Sequence, residues 1–107
     1  MEKRDWSKRV MDIFLEICRI PRPSGHEEKM IEYLMDFAAA RGLACRRDEV
    51  GNVLISKPAS PGFENRQTVI LQAHQDMVCE KDATLEHDFM TQPIETYVEE
   101  GWLKARG

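Results

Sequence analysis

Between Asp5 and Ile20 the apolar side chains fall at Trp6, Val10, Ile13, Phe14 and Ile17. That spacing follows a helical period and predicts an amphipathic helix with one buried face. Pro21 and Pro23 end it, because proline lacks an N–H and restricts the residue before it. Ser24 followed three residues later by Glu27 has the form of a capping box, in which each side chain satisfies an orphan backbone donor. A second helix is predicted from Gly25 to Arg41. It would bury Met30, Ile31, Leu34, Phe37 and Ala38, with Gly42 just past its C-terminus.

The period then shortens. "LACRRDEV" and "NVLISKP" read as two strands joined tightly at Gly51-Asn52, an antiparallel hairpin. "PASPGFENRQ" is a loop broken by Pro58, Pro61 and Gly62. Thr68 to Ala73 is the most apolar run and is expected to be the most buried strand. Cys79 to Gln92 is a polar loop. A last hairpin is expected from Ile94 to Val98 and Trp102 to Ala105, turning at Glu99-Glu100-Gly101, with Trp102 packed on the sheet. Two helices followed by about five strands predict an α/β fold with a mixed sheet, in one partial domain over residues 1–107. No closing helix follows the last strand, so part of the sheet is expected to need cover, for which a homo-oligomer is one source.

Charge and cysteine content narrow the function classes. The chain carries a net charge of −4, and its basic pairs, such as Arg46-Arg47, are followed by acids. That argues against nonspecific nucleic-acid binding, which needs basic patches to meet phosphates. Three cysteines, Cys18, Cys45 and Cys79, are widely spaced and odd in number, which fits a reducing compartment rather than a disulfide framework. The first twenty residues interleave charge with apolar side chains and do not read as a signal peptide. No stretch approaches the roughly 20 apolar residues of a membrane-spanning helix. The expectation is a soluble, cytoplasmic protein with no membrane and no nucleic-acid partner.

The candidate chemistry lies in "VILQAHQDMVCEK", Val69 to Lys81. Residues two apart in a strand share a face, so His74 and Asp76 project together if the extended geometry carries past Ala73. Neutral imidazole is a common zinc ligand, and a neighbouring carboxylate can take its other N–H, fix its tautomer and raise its basicity. The spacing alone leaves a plainer reading open: a strand-end histidine bonded to backbone or solvent.

"LQAHQDMVCEK", with "IPRPSGHEEKMIEYL", "DEVGNVLISKPASPGFENR", "HDFMTQPI" and "WLKARG", closely resembles the aminoacyl-histidine dipeptidases, also called Xaa-His dipeptidases, peptidase D or cytosolic nonspecific dipeptidases. The resemblance runs from about Val10 to Gly107 in the family's order. It implies the N-terminal segment of a metallopeptidase α/β sandwich that carries two metal ions, usually zinc, with manganese or cobalt also suited. It implies His74 as a ligand to one metal and Asp76 as the carboxylate that orients it. It implies hydrolysis of Xaa-His and other dipeptides by a metal-activated water, whose pKa such an ion lowers towards roughly 7.

The resemblance also implies what is not in these 107 residues: the bridging aspartate, a Glu-Glu pair, a further acidic ligand and a late histidine, and the smaller lid domain. Glu99-Glu100 lies in a predicted turn and Glu27-Glu28 at a helix start, where acids favour the dipole. His26 falls in the first helical turn, and His87 and Asp88 in the polar loop. Cys79 reads as a small, partly buried thiol. Trp6, Phe14 and Phe37 read as core. The expectation is therefore an N-terminal fragment of a zinc dipeptidase, inactive by itself. The alternative is a stand-alone, non-catalytic α/β interaction module derived from that fold. An ion shared by His74 of two chains is a third reading, recommended by the H-x-D spacing alone.

Overall fold

The computed structural model describes residues 5–107; the MEKR that opens the segment read against a signal peptide lies outside them. Helix α1 spans Trp6–Cys18 and α2 spans Glu28–Ala40. Strands β1 (Ala44–Arg47) and β2 (Val53–Ser56) form one antiparallel hairpin, and β3 (Thr96–Glu99) and β4 (Trp102–Ala105) another. The chain divides into two compact units. One holds the residues up to Met30 together with Asp76–Gly107, and the other holds Ile31–Gln75. Among the described residues no helix is long and apolar enough to cross a membrane.

In the first unit, Asp5 caps α1 by accepting from the Lys8 N–H at 3.0 Å. Burial along α1 is concentrated at its last turn, where Cys18 is buried and its carbonyl accepts from Ile94 N at 3.0 Å. The expected buried stripe stops short of the first turns: Trp6 is 60% exposed, and Val10 and Phe14 are exposed too. An apolar stripe buries only where another element lies against it, and here that is the C-terminal end. Trp102, expected on the sheet, is also exposed. The β3–β4 turn is the two-residue Glu100-Gly101, with φ of 51° and 80°. Positive φ at both central positions is the type I′ turn, whose twist matches the flanking strands. Thr96 pairs with Ala105 and Glu99 with Trp102, so the predicted hairpin forms, beginning two residues later than Ile94.

In the second unit, Ile31 and Ala38 are buried and Leu34 and Phe37 half-buried, as the helical spacing predicts. Helix α2 closes with Leu43 N donating to Ala38 O at 2.9 Å and Gly42 N to Ala39 O at 3.1 Å, a Schellman arrangement. The β1–β2 hairpin is also as predicted, with Cys45 opposite Ile55 and Arg47 opposite Val53.

Further expectations are corrected. Thr68–Ala73 is not a strand: Val69, Ile70 and Leu71 are 79%, 83% and 92% exposed. Among the described residues no backbone hydrogen bond joins Val69–Ala73 to another segment. An apolar extended run becomes a strand only when a neighbour pairs with its N–H and C=O groups. Among the described residues the strands are accordingly four rather than five, in two antiparallel pairs rather than one mixed sheet. The fold remains α/β, with two helices and four strands among the described residues. Finally, Ser24 and Glu27 do not form a reciprocal box. Glu27 Oε1 accepts from Gly25 N at 2.7 Å, the Ser24 hydroxyl donates to Asp76 Oδ2, and α2 starts at Glu28.

Candidate metal-binding segment

The H-x-D segment crosses from one unit to the other between Gln75 and Asp76. His74 is exposed, whereas Gln75, Asp76 and Met77 are half-buried. The strand expected to deliver the pair does not form, so local hydrogen bonds fix the backbone here.

On the Asp76 side the anchor is the segment after α1. The Ser24 hydroxyl donates to Asp76 Oδ2. Met77 N donates to Arg22 O at 2.9 Å, and Pro23 and Met77 form an isolated parallel bridge. Arg22 is itself tied back to α1, donating from Nη1 to Ile17 O at 2.6 Å. The two prolines that end α1 thus lay an extended segment beside Asp76–Met77, with Ser24 at its end. A hydroxyl donating to a carboxylate is a charge-assisted bond.

On the His74 side, Gln75 Nε2 donates to Gly51 O at 2.7 Å. Gly51 belongs to the turn "DEVGN" of the first hairpin, organised by Asp48. Asp48 Oδ1 accepts from Val50 N and Asn52 N, and Oδ2 from Asn52 Nδ2 at 2.7 Å. These donors, the Asn52 side chain first, hold the Asp48 carboxyl below its ordinary pKa.

The other candidate acids and histidines lie in turns, helix starts and the polar loop. Glu99 pairs with Lys104 at 3.2 Å, and Glu100 sits at the turn. His26 N donates to Pro23 O at 2.8 Å. His87 packs edge-on against Phe89 with ring centroids 4.9 Å apart. Asp88 accepts from Met90 N and the Thr91 hydroxyl, the backbone bond contributing most to holding its pKa down. Cys79, expected to be partly buried, is exposed; the burial falls instead on Cys18, whose thiol is pushed up by desolvation. Among the described residues no three His, Cys, Asp or Glu side chains are grouped so as to hold a metal ion. Catalytic zinc takes three protein ligands plus water. One imidazole with one carboxylate turned to Ser24 does not make that set, so these residues do not fit a complete metal centre by themselves.

Sequence reasoning missed Ser24 and Gln75. Ser24 has the local signature of a helix cap, which masked its partner 52 positions away. Gln75 occupies the variable middle of H-x-D, and its only signal is an amide set between two candidate site residues.

No family profile matches the chain. It is 52% identical over 98 residues to the cytosol non-specific dipeptidase of Escherichia coli K12, a match covering 92% of this chain and 20% of that protein. Its fold superposes on the crystal structure of aminoacylhistidine dipeptidase from Vibrio alginolyticus with a TM-score of 0.87 and 46% identity, again over 92% of this chain and 20% of that one. The chain thus spans about a fifth of the length of the relatives it matches. By sequence and by fold it is similar, over that fifth, to the aminoacyl-histidine dipeptidases.

Proposed function

We propose that this chain is the N-terminal segment of the catalytic domain of a cytoplasmic, zinc-dependent dipeptidase. The parent protein hydrolyses Xaa-His and other dipeptides, and the 107 residues alone are inactive. The observation that carries the reading is 52% identity sustained over 98 residues, far beyond what a three-residue H-x-D pattern supplies. Within the chain, His74 contributes an imidazole to a metal centre and Asp76 orients it. Zinc, when bound in a complete site, supplies an activated water near neutral pH. What this chain's own residues supply is placement: Ser24 holds one oxygen of Asp76, and the bridge at Met77 fixes the backbone beyond it.

The test has two arms. The purified chain, given zinc, manganese or cobalt, is assayed against Ala-His and other dipeptides, and no hydrolysis is expected. The gene is then read past the codon for Gly107. An open frame encoding further acidic residues and a histidine in the family's order supports the reading. Hydrolysis by the isolated chain refutes its inactive status, and a stop codon directly after Gly107 refutes the parent enzyme.

A further inference from the structure

Gln75 is the one half-buried amide between His74 and Asp76, and its two ends are treated differently. Nε2 donates to Gly51 O at 2.7 Å, while Oε1 is buried and has no hydrogen-bond partner among the described residues. Turning the amide over would face Oε1 to the Gly51 carbonyl at the same distance, acceptor against acceptor, so the chemistry fixes the orientation. Leaving Oε1 buried and unmatched is unfavourable. The side chain nonetheless stays inside, which ties its placement to the bond on the other end.

The acceptor is unusually well fixed. Gly51 is buried at φ +94°, and its N–H donates to Asp48 O at 3.2 Å. Asp48 N donates to Asn52 O at 3.0 Å, and the Asp48 carboxylate gathers Val50 N, Asn52 N and Asn52 Nδ2. The Gly51 carbonyl therefore projects from a turn braced on both flanks. A bond from there to Gln75 closes a loop of 24 positions. It immobilises the backbone next to His74, a stretch with no strand pairing to hold it.

We propose that Gln75 is a positioning residue: its side-chain amide ties the H-x-D segment to the Gly51 carbonyl and so sets where the His74 imidazole sits. Its relevance to catalysis rests on the dipeptidase reading above; the tether itself does not. It acts through His74 and touches neither substrate nor metal.

The direct test is nuclear magnetic resonance on the labelled 107-residue chain. A scalar coupling across the hydrogen bond, between Gln75 Nε2 and the Gly51 carbonyl carbon, is expected, with slowed exchange of the Gln75 amide protons. In Gln75→Met, which keeps length and removes the donor, exchange at the His74 and Gln75 backbone amides is expected to rise roughly threefold to tenfold, the range set by one hydrogen bond's net contribution. Exchange at Ile31 and Ala38 should stay unchanged, and the single set of His74 imidazole signals should broaden or split. A uniform rise across α2 would mark a merely structural role and overturn the proposal. Absence of the coupling in the wild-type chain would overturn it without any variant needing to fold. No metal or substrate enters this measurement, so its failure is the failure of the tether alone. Persistence of dipeptidase activity after His74→Ala in the parent enzyme would instead fail the functional reading.

Discussion

Substituting Gly51 by alanine strikes the turn from which Gln75 is held. Two costs arise from the geometry. At φ +94° an L side chain enters a left-handed region that favours glycine, at about 1–2 kcal/mol. The added Cβ would also stand 2.9 Å from Ile31 Cδ1, inside the roughly 3.5–4.0 Å at which carbon atoms rest. Cδ1 is the flexible end of a buried side chain, so Ile31 yields by leaving its rotamer, for about 0.5–1.5 kcal/mol. The lost freedom of the unfolded chain returns about 0.4–1 kcal/mol. The net expectation is a destabilisation of about 0.5–3 kcal/mol, read by urea unfolding followed by circular dichroism. Gly42→Ala is the control, since Gly42 also has positive φ, +65°, but nothing within 4 Å of its Cβ position. Ile31→Val removes Cδ1, so in a double-mutant cycle it should recover the steric part of the Gly51→Ala cost. Equal costs for Gly51→Ala and Gly42→Ala, with no coupling to Ile31→Val, would refute the close approach and with it the braced turn.

The remaining expectations follow from burial and charge. Ala38 has no exposed surface, so Ala38→Leu should overpack α2 and lose about 1–3 kcal/mol. Ile70, 83% exposed, should accept lysine with a change in urea-unfolding stability within about 0.5 kcal/mol. The Asp48 pKa is lowered in the folded chain, chiefly by its Asn52 bonds. Its contribution is therefore present above the unfolded value and lost as pH falls through the folded one. The stability difference between wild type and Asp48→Asn should shrink on acidification below about pH 4, and a constant difference would contradict it. Thiol labelling at pH 8 should modify exposed Cys79 first and buried Cys18 last, in keeping with the raised Cys18 pKa.

Local signals proved legible where their causes were local. The Pro21–Pro23 stop, the apolar face of α2 with Gly42 beyond it, and both hairpins are set by backbone restrictions within a few residues. The type I′ turn at Glu100-Gly101 is one such case. The misreadings share a cause at longer range. Thr68–Ala73 has strand composition, but pairing needs a partner that no window of sequence contains. Trp6, Val10 and Phe14 have helical spacing, but spacing names a face without naming what covers it. Ser24 has the local form of a helix cap, although its hydroxyl serves Asp76. At the candidate site, His74 and Asp76 stand out by residue type and by family resemblance. Ser24 and Gln75, whose roles are hydrogen bonds closing long loops, carry no comparable mark.

The most direct test of the central claim is a chimera in which this chain replaces the matching segment of the Escherichia coli dipeptidase, to which it is 52% identical. Hydrolysis of Ala-His is measured for the chimera and for its His74→Ala form, both confirmed as folded by circular dichroism. The account predicts an active chimera that loses activity by at least about a hundredfold when His74 is removed, in line with loss of a group essential to metal catalysis. A folded chimera without activity, or one that hydrolyses dipeptides equally well without His74, would contradict it.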